Sequence, residues 1–297
     1  KCINFIKTLD SDNEKVEYYS PLMNYLTRIP PLYEGLAKER EDYVALCNSV
    51  QAYSYLGDYY SKEPFDFDAT TDNDKKLERA VTTGIVYIKS HMKEQARKMS
   101  QRAVFRTKGS NPRLAKPYYL FRASYGLMDN NFIAASDNYY KLFTWNKEDP
   151  EAKEYLDLAA SYAILSDSAV KRNKIRVILQ EDLIQQSKLY GLLESMVAGT
   201  FVTPEKVKTY VEVLRNLQGF TESLFNIIIL NQNLFSISKL FLSISFDRIS
   251  QITGSTTEEM LKNITKLIET KQINALIDQP RKMILFSPID EQVRKDE

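Results

Sequence analysis

Between about residues 40 and 220, apolar residues recur at three- and four-residue spacing in runs of 12 to 18, parted by short polar breaks. That rhythm predicts consecutive amphipathic helices, each with one face turned to a core. Tyr43, Leu46, Cys47, Val50, Tyr53 and Leu56 read as one continuous helical face. The stretch 61–76 breaks the pattern with Pro64 and five acids (Glu63, Asp66, Asp68, Asp72, Asp74), which predicts a long loop. Helices are predicted to resume over 77–90 and 91–106. Gly109-Ser110-Asn111-Pro112 reads as a turn, because Pro112 cannot continue a helix and Gly109 suits a C-cap.

A helix over 114–128, a tight turn at Asp129-Asn130-Asn131 and a second helix over 132–143 come next. Ala135 lies one turn before Tyr139, a small residue that lets helices approach and a ring that fills the groove beside it. This is the packing logic of tetratricopeptide-like helix pairs. The spacing between pairs is irregular and argues against a regular array. Further helices are predicted over 150–166, 169–179, 187–198 and 206–217, the last opened by Thr203 as N-cap with Pro204 at the first helical position. The reading to this point is a right-handed solenoid of helix pairs.

After a long helix over 222–241 the period changes. Ser243-Ile244-Ser245-Phe246 is a short extended piece, 247–252 a brief helix, and Thr253-Gly254-Ser255 a turn in which Gly254 takes positive φ. Ser255-x-x-Glu258 and Thr256-x-x-Glu259 are overlapping capping boxes for a helix over 257–270. Residues 273–277 alternate as a strand, 278–282 turn, and Met283-Ile284-Leu285-Phe286 returns. Strand, helix, turn, helix and hairpin in this order predict a winged helix-turn-helix. By alternation Ala275, Ile277, Ile284 and Phe286 face inward, while Leu276, Met283 and Leu285 point outward. An apolar outer sheet face suits either docking of a like domain or cover by a C-terminal helix of the same protein.

Composition narrows the function. The 297 residues hold 40 Lys and Arg against 39 Asp and Glu, so no global basic field draws nucleic acid or membrane. One histidine, His91, and two cysteines, Cys2 and Cys47, leave no material for a Cys/His zinc site, a haem pair or a disulfide framework. Nine glycines and no phosphate-binding motif point the same way, toward a helical protein that is not an enzyme and needs no cofactor. The longest apolar run, Ile227 to Leu230, is far below the ~20 residues of a membrane span. Unpaired cysteines fit a reducing compartment, cytoplasm or nucleus. The opening Lys1-Cys2-Ile3-Asn4 has no initiator Met and no signal-peptide layout, so native residues are expected to be missing before it.

Charge also decides the question a winged helix raises. Residues 243–290 hold six bases and six acids, and the helix over 257–270 carries three acids against two lysines. Phosphate contacts need a clustered positive face, so protein docking is favoured over DNA. His91 at a helix boundary reads as a surface or capping residue, and Cys47 as a small core residue. Glu181-Asp182 and Glu258-Glu259 read as helix-start charges. Tyr53, Tyr55, Tyr59 and Tyr60 read as core and rim ahead of a peptide groove.

Helical repeats running through a long helix into a winged helix resemble the PCI family of scaffold subunits. Within it, Asn233-Leu234-Phe235-Ser236-Ile237-Ser238-Lys239-Leu240-Phe241, then Ile244-Ser245-Phe246, is similar to the entry into the winged helix in the subunit-four family of the COP nine signalosome. So are Ile277-Asp278-Gln279 with Ile284-Leu285-Phe286, Phe132-Ile133-Ala134-Ala135-Ser136, and Leu189 to Glu194. The resemblance covers about 110–290 well and 40–110 in outline. It implies a helical-repeat arm over 1–110, the helical part of a PCI module over 111–225, a winged helix over 226–290 and the start of a C-terminal tail over 291–297. It further implies a non-catalytic scaffold joined to other PCI and MPN subunits, in a complex that removes NEDD8 from cullin-RING ubiquitin ligases, with the arm helping to hold that substrate. Leu276, Met283 and Leu285, with Arg281 at the wing, are the expected partner contacts. Family members continue past the wing into a shared helical bundle, and residues 291–297 are too short for that helix. The proteasome lid is the alternative assembly.

Overall fold

A computed structural model describes residues 2–27, 36–62, 72–167 and 170–287. Among them are fifteen α-helices and one three-stranded sheet. The chain divides into two compact units, Lys1–Trp145 and Asn146–Glu297.

The first unit is helical throughout: α1 Cys2–Lys7, α2 Asp12–Leu26, α3 Ala37–Ser49, α4 Tyr53–Lys62, α5 Asn73–Lys89, α6 Lys93–Arg102, α7 Ala115–Met128 and α8 Phe132–Trp145. The single face expected over 43–56 is two helices. The chain breaks at Gln51, whose φ of 57° is left-handed, and Ala52 N–H closes back on Cys47 O at 2.8 Å. The same turn ends α5, with His91 at φ 57° and Met92 N–H to Tyr87 O at 2.9 Å, and α7, with Asn130 at φ 54° and Asn131 N–H to Gly126 O at 2.7 Å. These six-to-one bonds satisfy carbonyls that a helix C-terminus leaves orphaned. The left-handed residues at 51, 91 and 130 stand 40 and 39 residues apart, so the helix pairs repeat more regularly than the sequence suggested.

Close packing follows from small residues. A Cβ on Gly84 of α5 would lie 2.4 Å from the Phe121 ring of α7, and one on Gly126 would lie 3.0 Å from the Ala135 backbone nitrogen of α8. Ala135 is fully buried, as the small-then-aromatic pair predicts. Tyr19, Tyr43 and Tyr59 form a buried ring cluster in α2, α3 and α4, with Tyr43 and Tyr59 centroids 5.4 Å apart. Cys47 lies in that core, where burial pushes its thiol up to about 11. The expected loop over 61–76 is shorter at both ends. Helix α4 runs to Lys62, and Asp72 caps α5 by accepting from Asp74 N–H at 3.2 Å; residues 63–71, with Pro64, lie outside the described residues. Helix α6 stops at Arg102 because Ala103 turns extended at ψ 104°.

The second unit holds α9 Ala152–Leu165, α10 Lys171–Ile178, α11 Tyr190–Ala198, α12 Pro204–Leu214, α13 Glu222–Leu240, β1 Ser243–Ser245, α14 Phe246–Thr253, α15 Thr257–Glu269, β2 Ala275–Asp278 and β3 Met283–Phe286. Thr203 is the N-cap of α12, yet its hydroxyl makes no bond to the helix backbone. It faces Glu205, whose carboxyl is held below the usual range by its own backbone N–H and then by Thr203. The sheet is antiparallel in the order β1-β3-β2. A mostly α chain ending in a winged helix is the architecture the sequence predicts.

Candidate functional site

The winged helix is assembled by local signals that hold its sheet in one register. Thr221 Oγ1 accepts from Leu224 N–H at 3.2 Å and starts α13. At its far end Phe241 turns extended, and β1 follows. Ser245 closes β1 and also caps α14, accepting from Arg248 N–H at 3.3 Å. Gly254, at φ 69°, ends α14. Of the two overlapping capping boxes, Thr256 and Glu259 form the real one: Thr256 Oγ1 accepts from Glu259 N–H at 3.2 Å, and Glu259 Oε2 accepts from Thr256 N–H at 3.2 Å. The Ser255 hydroxyl instead pairs with Thr253 Oγ1 at 2.7 Å.

The wing turn is closed by Asp278, whose Oδ1 accepts from Arg281 N–H at 3.1 Å. Lys282, left-handed at φ 51°, accepts from Phe246 N–H at 2.9 Å, which ties the turn to the start of α14. Ile277, Ile284 and Ile244 align as an inner rung, while Leu276, Leu285 and Ser243 align as an outer one. Ile244, Ile284 and Phe286 are buried with Phe246, Ile249, Met260, Ile264 and Leu267, and Ala275 and Ile277 pack against this core at partial burial. On the outer side Leu276 is 63% exposed, and Met283 and Leu285 are half-buried. Arg281 stands at the wing tip, its guanidinium 3.8 Å from Asp278 and largely in solvent.

Sequence reasoning missed two features. The first is a further apolar surface where α13 enters β1: Leu240 and Leu242 are 73% and 79% exposed, with Phe241 between them at 40%. Three large apolar residues in a row at a helix end were the available signal. The second is a buried polar clamp on α13. Asn233 Oδ1 accepts from Val202 N–H at 2.8 Å while its Nδ2 donates to Val202 O at 3.0 Å. Gln232 Nε2 donates to Ser195 O and Thr200 O at 3.0 and 3.1 Å. Together they fasten the 199–202 segment to the first helix of the winged domain. Gly199, at φ 69°, permits this approach, since a Cβ there would lie 2.9 Å from the Phe235 ring. That ring is covered by the Arg172 guanidinium at 3.5 Å and the Lys239 ammonium at 4.5 Å.

The other singled-out residues have structural places. Lys266, one of two lysines on α15, is committed to Asp167 at 2.6 Å. His91 fills a left-handed turn in solvent. Glu181 pairs with Lys147 at 2.6 Å. Tyr59 is core, whereas Tyr53 lies at the rim and accepts from the Lys89 ammonium at 3.0 Å. Among the described residues, no group of His, Cys, Asp and Glu could hold a metal ion, and no helix is long and apolar enough to cross a membrane.

Residues 207–288, which run from within α12 through α13 and the winged helix, match the PCI domain. The chain is 27% identical over 163 residues to COP9 signalosome complex subunit 4 of Dictyostelium discoideum, a match covering 53% of this chain and 42% of that protein. It is 25% identical over 183 residues to the Neurospora crassa subunit 4, covering 59% and 42% respectively. For the Caenorhabditis elegans subunit 4 the identity is 21% over 183 residues, covering 60% and 44%. The matched stretch thus spans less than half the length of these relatives. The chain carries a PCI domain and, over about half its length, resembles subunit 4 of the COP9 signalosome.

Proposed function

We propose that this chain is a non-catalytic scaffold subunit of a signalosome, docking a neighbouring PCI subunit through the outer face of its winged-helix sheet. The observation that carries the reading is the coincidence of the PCI match over 207–288 with a sheet whose outer rung is Leu276 beside Leu285. Met283 extends that face, and Arg281 supplies a charge at its rim. An apolar patch rimmed by polar groups is the usual mark of a protein interface. In this reading the complex removes NEDD8 from cullin-RING ubiquitin ligases, the isopeptidase belongs to an MPN subunit, and the helical arm over 1–110 helps hold the substrate, in cytoplasm and nucleus.

The test is a tagged pull-down from native lysate with co-purifying proteins identified by mass. Signalosome PCI and MPN subunits are expected with the wild-type chain. The double variant Met283→Glu, Leu285→Glu is expected to lose them while keeping its circular dichroism spectrum. Proteasome lid subunits in their place would reassign the complex. Assembly that survives the double variant would move the ring contact off this face.

A further inference from the structure

Although the chain is balanced overall, residues 93–122 carry nine bases and a single acid, Glu94. The fold displays part of this charge on one side of α6 and the loop after it. Helix α6 turns Ala96, Met99 and Ser100 inward, which leaves Arg97, Lys98 and Arg102 in solvent. Beyond Ala103 a turn closes between Arg106 and Ser110, with Ser110 N–H to Arg106 O at 3.2 Å and Arg106 N–H to Ser110 Oγ at 3.1 Å. Arg106 and Lys108 project from it into solvent. Asn111 Oδ1 accepts from Arg113 N–H at 3.0 Å, presenting Arg113 just beyond.

Three acids of this region are already engaged. Glu94 pairs with Arg97 at 2.8 Å, Asp129 pairs with Lys93 at 2.7 Å, and Asp74 accepts from Asn111 N–H at 3.0 Å. Among the described residues, Lys98, Arg106, Lys108 and Arg113 have no acidic partner. Like charges gathered without internal compensation repel one another and favour an anionic partner. The surface is also apolar at its centre, where Val104 is 58% exposed between Arg102 and Arg106. Beneath it Phe105 stacks on Tyr118 at 5.6 Å and meets Trp145 edge-on at 5.4 Å.

Those contacts separate two kinds of anion. Single-stranded nucleic acid needs open ring faces on which bases stack. Here Phe105 is engaged by its aromatic neighbours, and aliphatic Val104, 58% exposed, is more open to solvent than Trp145 at 39%. A protein segment with carboxylates around an apolar residue matches both features. We propose that α6 and the 104–113 loop form a docking surface for an acidic protein segment, with Lys98, Arg106, Lys108 and Arg113 meeting its carboxylates and Val104 its apolar side chain. The winged-helix reading is not a premise of this proposal.

Fluorescence anisotropy on the full chain tests it, with a short labelled peptide of Asp, Glu and Leu beside a thymidine oligonucleotide of equal charge. The peptide should bind with an affinity that falls as salt rises. Joint replacement of Lys98, Arg106, Lys108 and Arg113 by Glu should weaken it by more than about tenfold, and the four Gln replacements by less. Val104→Asp alone should also weaken the peptide. The pair Met283→Glu, Leu285→Glu should leave its affinity unchanged, so failure of the winged-helix reading would not be mistaken for failure here. Absence of peptide binding at low salt, or a Glu variant that is folded by circular dichroism and binds like wild type, would overturn the proposal. So would tighter binding of the oligonucleotide than of the peptide.

Discussion

Gln51, His91 and Lys271 each hold a left-handed backbone, at φ 57°, 57° and 55°, in a turn that ends a helix. A side chain there costs roughly 1–2 kcal/mol, part of which glycine returns by loosening the unfolded chain. Gln51→Gly and Lys271→Gly should therefore each stabilise the fold by about 0.5–1 kcal/mol, read as a higher denaturant midpoint at unchanged slope. A loss of stability would mean that the side chains contribute something beyond the turn. Asn233 is the opposite case. Truncation to Ala leaves the Val202 N–H and C=O unpaired in a buried place, and should cost about 2–4 kcal/mol. Lys171, at the first turn of α10, has its ammonium pushed down to about 7 by desolvation, opposed by Asp167 and assisted by Arg172. The unfolded chain therefore binds more protons than the folded one above pH 7, so stability rises with pH from that point. Cys47, pushed up to about 11 by burial, works in the other sense, because above its ordinary range the unfolded thiol loses its proton first. The stability of the second unit should climb from about pH 7 toward the ordinary lysine range, and that of the first should fall above the ordinary thiol range. Lys171→Met should remove the climb and Cys47→Ala should soften the decline, both read from urea titrations across pH.

At the scale of the element, helix α15 offers a decision between two caps that the sequence could not separate. Thr256 holds the reciprocal pair of bonds with Glu259, whereas Ser255 bonds to Thr253. Thr256→Ala should cost about 1 kcal/mol and Ser255→Ala less than about half of that, in chemical denaturation of the full chain. Equal costs would return Ser255 to the cap. The winged helix was legible because period-two alternation in β2 and β3, a left-handed glycine at 254 and a capping box all lie within a short span and agree. The break at Gln51 was not legible. It contains neither Gly nor Pro, and apolar spacing continues across it from Val50 to Tyr53. The same lack of glycine at His91 and Asn130 hid the regular recurrence of the helix pairs. Asn233 read as a polar residue beginning a familiar motif, because side chain to backbone pairing over 31 positions leaves no local trace. The outward direction of Leu276 follows from alternation alone, whereas the partial cover of Met283 and Leu285 depends on neighbours that periodicity does not specify.

For the whole molecule, net charge of +1 concealed a strip of uncompensated bases, since summation discards position. The fold restores that position, and it also gives each unit cores of its own. Tyr43, Cys47 and Tyr59 belong to one in the first unit, and Ile249, Ile264 and Ile284 to another in the second. Units with separate cores are expected to unfold as separate cooperative steps. The chain carries its own reporter for this. Its single tryptophan, Trp145, lies in the first unit with its ring edge-on to Phe105, so tryptophan fluorescence follows that unit, while far-ultraviolet circular dichroism follows the helices of both. The two signals should therefore give different urea midpoints. Lys171 and Asn233 lie in the second unit. Their variants should shift the circular dichroism curve and leave the fluorescence midpoint in place, whereas Gln51→Gly should move the fluorescence midpoint upward. Coincident curves in the wild type, or a fluorescence midpoint that follows Asn233→Ala, would mean that the units unfold as one.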